Sequence, residues 1–156
     1  MKKLLYFQTL ILTGGTIFAW YTIFGDFDRF FNAGGKLLQF SGCRFPNPLA
    51  TPCFYGGIAF IIALVWSINL IQVFTLNSQK HLTWLLFGGT IFAWSMVGKE
   101  FYTFFQKPVG GYFGCTGLPA QNPVFTPCFT GASIYLIAFI FSIIAIKLLD
   151  SKGKAS

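Results

Sequence analysis

Charge is scarce in this chain. Charged residues make up 10% of its 156 positions, and only four of them are acidic. A water-soluble domain of this size carries about 25%, so an ordinary solvated surface is excluded. The one histidine, His81, falls in the short connection between apolar blocks and cannot supply a bis-histidine haem site. No Cys-x-x-Cys pair occurs among the four cysteines, which removes the usual redox dithiol and zinc-knuckle spacings. Neither a glycine-rich phosphate loop nor a Gly-x-Ser-x-Gly elbow is present. The formal charge of +7 comes from basic residues near the termini or standing singly between apolar blocks. No basic face builds up, so a nucleic-acid partner is not expected.

What the chain has instead is apolar surface. Hydrophobic residues account for 54% of it, with Phe at 21 positions. They gather in four blocks, roughly 4–24, 54–76, 82–98 and 129–149. About 20 apolar residues are needed to cross the ~30 Å hydrocarbon layer, and the third block reaches that length by running on through Phe101 to Phe105. The expected fold is therefore an all-α membrane protein with four transmembrane helices. Met1-Lys2-Lys3 before an apolar run suits a signal peptide. However, no small-x-small site closes that run, and its central heptapeptide recurs inside the third block.

That recurrence organises everything else. Gly14-Gly15-Thr16-Ile17-Phe18-Ala19-Trp20 returns unchanged as Gly88-Gly89-Thr90-Ile91-Phe92-Ala93-Trp94. Asn47-Pro48, Thr51-Pro52-Cys53-Phe54 and Gly56 return as Asn122-Pro123, Thr126-Pro127-Cys128-Phe129 and Gly131. A duplicated unit of about 75 residues makes each copy a helix, a long loop and a helix. The two units, 1–76 and 77–156, would enter the membrane in the same direction as parallel repeats, and together form one four-helix domain.

Four spans put both termini on one side. Lys2, Lys3, Lys80, Lys147, Lys152 and Lys154 lie there; Arg29, Lys36, Arg44, Lys99 and Lys107 lie on the other. The small excess favours cytoplasmic termini. All four cysteines fall on the opposite side, in or beside the long loops, where an oxidising compartment favours disulfides. Four cysteines allow three connectivities. Duplication favours one bridge within each loop, Cys43–Cys53 and Cys115–Cys128, each closing a short loop for about 2–3 kcal/mol. No metal is expected, because thiolates do not persist on that side.

Several residues repeat with a chemical purpose. Gly15 and Ala19, like Gly89 and Ala93, have the small-xxx-small spacing by which helices approach closely in lipid. Asp26 and Glu100 recur at the same distance beyond each Trp, among aromatics spaced along one helical face, and are candidate ion-pair or proton-handling positions. Thr51 and Thr126 suit helix N-caps, with Pro52 and Pro127 at the first helical position. Cys53 and Cys128 then fall in the first turns of helices, where the dipole favours a thiolate. Nothing more polar than Thr or Ser is expected at mid-membrane, which weighs against a transporter or channel.

Three functions fit. The first is a non-enzymatic accessory, scaffold or partner-recognition subunit with two stapled extracytoplasmic loops and no cofactor; beyond the lipid bilayer, its partner is another membrane protein or a second copy. The second is an enzyme. In helix count, inner termini and one cysteine pair per outer loop, the chain resembles the DsbB family, although it lacks the Cys-x-x-Cys of that family's first loop. The resemblance implies a membrane thiol oxidoreductase passing electrons to a quinone, with Cys43, Cys53, Cys115 and Cys128 as the reacting groups. The third is a small transporter or channel subunit.

Overall fold

The computed structural model describes residues 2–36, 47–73, 75–106 and 122–153; Cys43 and Cys115, and with them both expected loop bridges, lie outside these. Among the described residues there are four α-helices, α1 (Lys2–Asn32), α2 (Pro52–Gln72), α3 (Leu76–Gln106) and α4 (Pro127–Gly153). Short 3₁₀ turns at Pro48–Ala50 and Pro123–Phe125 precede α2 and α4. The first and third helices run well past their apolar blocks, so Asp26 and Glu100 are helical. His81 belongs to α3 rather than to a connection: the turn before it is so short that the helix has already begun, and the imidazole lies 6.4 Å from the Trp66 ring.

Helix ends follow local chemistry. The end of α1 is a Schellman motif: Gly35 N–H donates to Phe30 O at 3.0 Å and Gly34 N–H to Phe31 O at 2.9 Å. Gly34 sits at φ +79°, where a side chain would be strained. The described part of α3 ends at Gln106. Thr51 occupies the N-cap of α2 but makes no side-chain cap bond. Its hydroxyl instead donates back to Pro48 O at 2.7 Å, because the preceding 3₁₀ turn brings that carbonyl within reach. The caps that do form come from Asn47 and Asn122, which accept from Leu49 N and Val124 N at 3.0 Å each.

The helices form a ring. α1 packs on α2 and α4, and α3 packs on α4 and α2, leaving α1/α3 and α2/α4 as the diagonals. Contacts such as Trp20 with Phe54 and Thr9 with Ser67 show that α1 and α2 run antiparallel. The chain thus goes up, down, up and down, with residues 2, 72, 76 and 153 at one end and residues 32, 52, 106 and 127 at the other. Side chains on the shared interior are Leu12, Phe60, Ala63, Leu70, Leu82, Leu86, Tyr135 and Ala138.

The outer faces are also apolar. Tyr6, Leu10, Ile17, Tyr21 and Phe24 stand exposed along α1, and Ile61, Val65 and Ile68 along α2. A helix that is apolar all round needs lipid or protein around it. Three helices, α1, α2 and α4, are long and apolar enough to cross a membrane. The apolar stretch of α3 is cut short between His81 and Lys99. Hydroxyls along these helices bond to the carbonyl one turn back, as in Thr13 to Thr9 O and Thr90 to Leu86 O, which leaves few of them unsatisfied in hydrocarbon.

Contacts recur at matching places. Thr9 Oγ1 lies 2.7 Å from Ser67 Oγ, and Thr83 Oγ1 lies 2.6 Å from Ser142 Oγ. A Cβ built on Gly15 would meet the Phe60 ring at 2.5 Å; one on Gly89 would meet the Tyr135 ring at 2.7 Å. Those two rings pack against each other, centroids 4.1 Å apart, in the middle of the bundle. Gly15→Ala and Gly89→Ala are expected to cost about 1–3 kcal/mol through overpacking, read as a lower unfolding temperature in detergent. Gly14→Ala, where a Cβ meets nothing within 4 Å, should leave that temperature unchanged or raise it.

Candidate functional site

At the loop end the ring opens into a chamber of about 410 Å³. All four helices line it: Ala19 from α1; Gly56 and Phe60 from α2; Gly88, Gly89, Phe92 and Ala93 from α3; Gly131 and Tyr135 from α4. Cys53 and Cys128 line its end toward the loops. Pro52 and Pro127 set the first turns of α2 and α4, so both sulfurs are delivered at the same height. They meet across the α2/α4 diagonal at 3.6 Å. That is a contact distance, far beyond the ~2.05 Å of a disulfide.

The repeated carboxylates flank this pair. Asp26 and Glu100 are both close enough to Cys53 to act on it electrostatically, setting negative charge beside the positive ends of two helix dipoles. Asp26 is buried and forms an ion pair with Arg29, its Oδ1 accepting a hydrogen bond from Arg29 Nη2. Its other oxygen, Oδ2, has no protein partner. Glu100 is placed differently: its Oε2 lies 2.9 Å from Thr126 Oγ1, which ties α3 to the start of α4. The two acids hold matching sequence positions, and the position of Arg29 is taken on α3 by Thr103.

The residues expected to pack helices sit beside the chamber. Gly15 lies under Phe60 and Ile134, and Gly89 under Tyr135. Ala19 is packed against the core cluster while also facing the chamber, and Ala93 faces it from α3.

Sequence reasoning missed a second polar centre, at the terminal end. Gln8 and Gln79 are fully buried. Gln79 Nε2 donates to Gln8 Oε1 at 3.2 Å and to Ser142 Oγ at 2.9 Å. With Thr9, Ser67 and Thr83 they form a polar layer beneath the aromatic pair. Gln8 Nε2 and Gln79 Oε1 are left without protein partners. These amides occupy no repeated motif, so nothing in the pattern singled them out. Their spacing from the apolar faces of α1 and α3 was the available signal. Among the described residues no cluster of metal-binding side chains occurs.

No family model matches this chain, and no curated protein or solved structure does either. The site is therefore read from its own chemistry.

Removing Asp26 should leave the Arg29 guanidinium unpaired at the bundle end. Asp26→Ala is expected to cost about 1–3 kcal/mol, less than the ~3–5 kcal/mol of a broken fully buried pair because Arg29 is partly exposed. The double change Asp26→Leu with Arg29→Met should recover most of the loss in detergent unfolding.

Proposed function

We propose that this chain is a four-span integral membrane protein made of two parallel hairpins, 1–76 and 77–156, acting as a non-enzymatic accessory or partner-recognition subunit. The observation that carries this reading is the set of matched contacts: Thr9 with Ser67 and Thr83 with Ser142, Gly15 with Phe60 and Gly89 with Tyr135. These contacts fall at equivalent places in the two hairpins. α3 supplies the fourth span because it occupies the place in its hairpin that α1 holds in the other.

In this reading the termini face the cytoplasm and the loops face outward, each closed by its own bridge. One observation supports a bridge in the second loop: Cys128 is disulfide-bonded, and Cys53, at 3.6 Å, is not its partner; the bridge of the first loop rests on the duplication alone. Cys115 is the cysteine that the duplication pairs with Cys128. Two rigid outer caps of this kind suit recognition of another membrane protein or of a second copy.

The 3.6 Å sulfur contact favours a second reading, thiol–disulfide exchange at the helix starts. In such a step a thiolate joins one sulfur of a disulfide, the old S–S bond breaks, and the displaced sulfur leaves as a thiolate. Two sulfurs from different hairpins already stand in contact, as an exchange between bridges requires.

The two readings separate by potential. The first expects the protein to remain in the membrane after carbonate extraction. It expects a non-reducing peptide map to show Cys43–Cys53 and Cys115–Cys128, with reduction potentials below about −300 mV. An impermeant maleimide added to intact cells after reduction should label these cysteines from outside. Potentials well above that value, with bridges that redistribute in a thiol buffer, would establish exchange instead. Labelling confined to reagents delivered in the cytosol overturns both.

A further inference from the structure

We propose that the outward groove between α2 and the start of α3 is a binding site for one anionic phospholipid, drawn from the leaflet at the terminal end of the bundle. Such a site rests on the reading of the chain as a four-span membrane protein. It is independent of the cysteines and of the chamber between the helices.

The groove encloses about 620 Å³. Ile61, Val65, Trp66, Asn69 and Gln72 form its floor along one face of α2, and Ser78 of α3 closes one side. The Trp66 indole N–H donates to Ser78 Oγ at 2.8 Å, which fixes that ring against α3. From Ile61 to Gln72 the helix rises about 16 Å at ~1.5 Å per residue, half of the ~30 Å hydrocarbon layer. Polarity changes along that length. Ile61, Ile62 and Val65 are exposed near mid-span and offer only apolar surface. Asn69 and Gln72, exposed in the last turns of α2, present amides. Neither side-chain amide bonds to another described residue, and a polar group facing lipid needs a partner. A phospholipid carries its parts in the same order. Its acyl chain lies deep, its ester carbonyls accept from N–H donors at the boundary, and its phosphate is outermost.

The repeat gives a comparison within the molecule. The α4 positions matching Ile62, Val65, Trp66 and Asn69 are Ile137, Ile140, Phe141 and Ile144. All four are apolar, and Phe141 packs on Phe7 of α1 with ring centroids 4.9 Å apart. On α2 an indole and an amide stand in place of Phe and Ile, and the seam with α3 is the least closely packed of the ring. Charge then selects among lipids. Lys80 is exposed two residues beyond Ser78, and His81 stands next to it, its ring 6.4 Å from that of Trp66. Three of the four acids, Asp26, Asp28 and Glu100, lie at the opposite end of the bundle. A headgroup with net negative charge therefore meets an uncancelled cation here, which a zwitterionic one satisfies less well.

The test is native mass spectrometry of the full-length protein in detergent, supplied with equal amounts of phosphatidylglycerol and phosphatidylcholine bearing identical chains. Retention of one phosphatidylglycerol, favoured about fivefold over phosphatidylcholine, is expected. Lys80→Gln should abolish that preference. Lys147→Gln, exposed at the same end on α4, should leave it unchanged. Asn69→Leu combined with Gln72→Leu should lower retention of both lipids several-fold, and excess glycerol 1-phosphate should displace neither. Should the leucine pair fail to fold, the two exposed lysine changes carry the comparison. Equal retention of the two lipids by the unaltered chain overturns the proposal. So do equal effects of Lys80→Gln and Lys147→Gln, unchanged retention in the folded leucine variant, or displacement by glycerol 1-phosphate. Each of these leaves the membrane reading intact, whereas release of the chain by carbonate overturns that reading itself.

Discussion

Everything in this bundle is spaced by two rings. Phe60 and Tyr135 lie against each other at its centre, and each also lies over a glycine of a neighbouring helix. A ring pressed into bare backbone fixes how near α1 and α3 come to their partners. The ring-on-ring contact fixes how far apart the α2/α4 diagonal stands. In lipid, where helices gain little from hiding apolar surface from one another, such close packing is a main source of cohesion. The polar layer below it, from Gln8 to Ser142, adds hydrogen bonds whose alternative in hydrocarbon is no bond at all. The open space above it exists because glycines there have no ring laid over them.

Much of this was legible because the chain repeats itself. Identical heptapeptides around Gly15 and Gly89 implied equivalent helices, and Pro52 and Pro127 marked where α2 and α4 begin. The apolar blocks told where helices lie but not where they end. α1 continues to Asn32 because a glycine-based cap, not a change in polarity, terminates it. Thr51 takes the N-cap position of α2 as its place before Pro52 suggested, but it makes no side-chain cap bond, for a reason invisible in a linear pattern. A carbonyl from the preceding 3₁₀ turn competes for the hydroxyl, and the residue that signalled that turn, Asn47, had been noted only as part of a repeat.

The site was less legible still. Duplication favoured a bridge within each loop, and nothing in it hinted that the sulfurs of Cys53 and Cys128 stand 3.6 Å apart across the bundle. Closeness across a diagonal follows from helix arrangement, which no spacing along the chain encodes. Asp26 and Glu100 show a related limit. Their matching positions suggested one shared role, but Arg29 stands beside the first and Thr126 beside the second, so equivalent acids make unlike bonds. Gln8 and Gln79 escaped notice because repetition drew attention to what is shared, and these two are not.

The seams between the two halves of the bundle are unequal. α1 closes against α4 more fully than α3 closes against α2. A pair of identical halves joined by equal seams would offer two doorways to the surrounding lipid, related by symmetry and interchangeable. Unequal seams make the two sides distinct, so the molecule acquires a front and a back that neither half possesses alone.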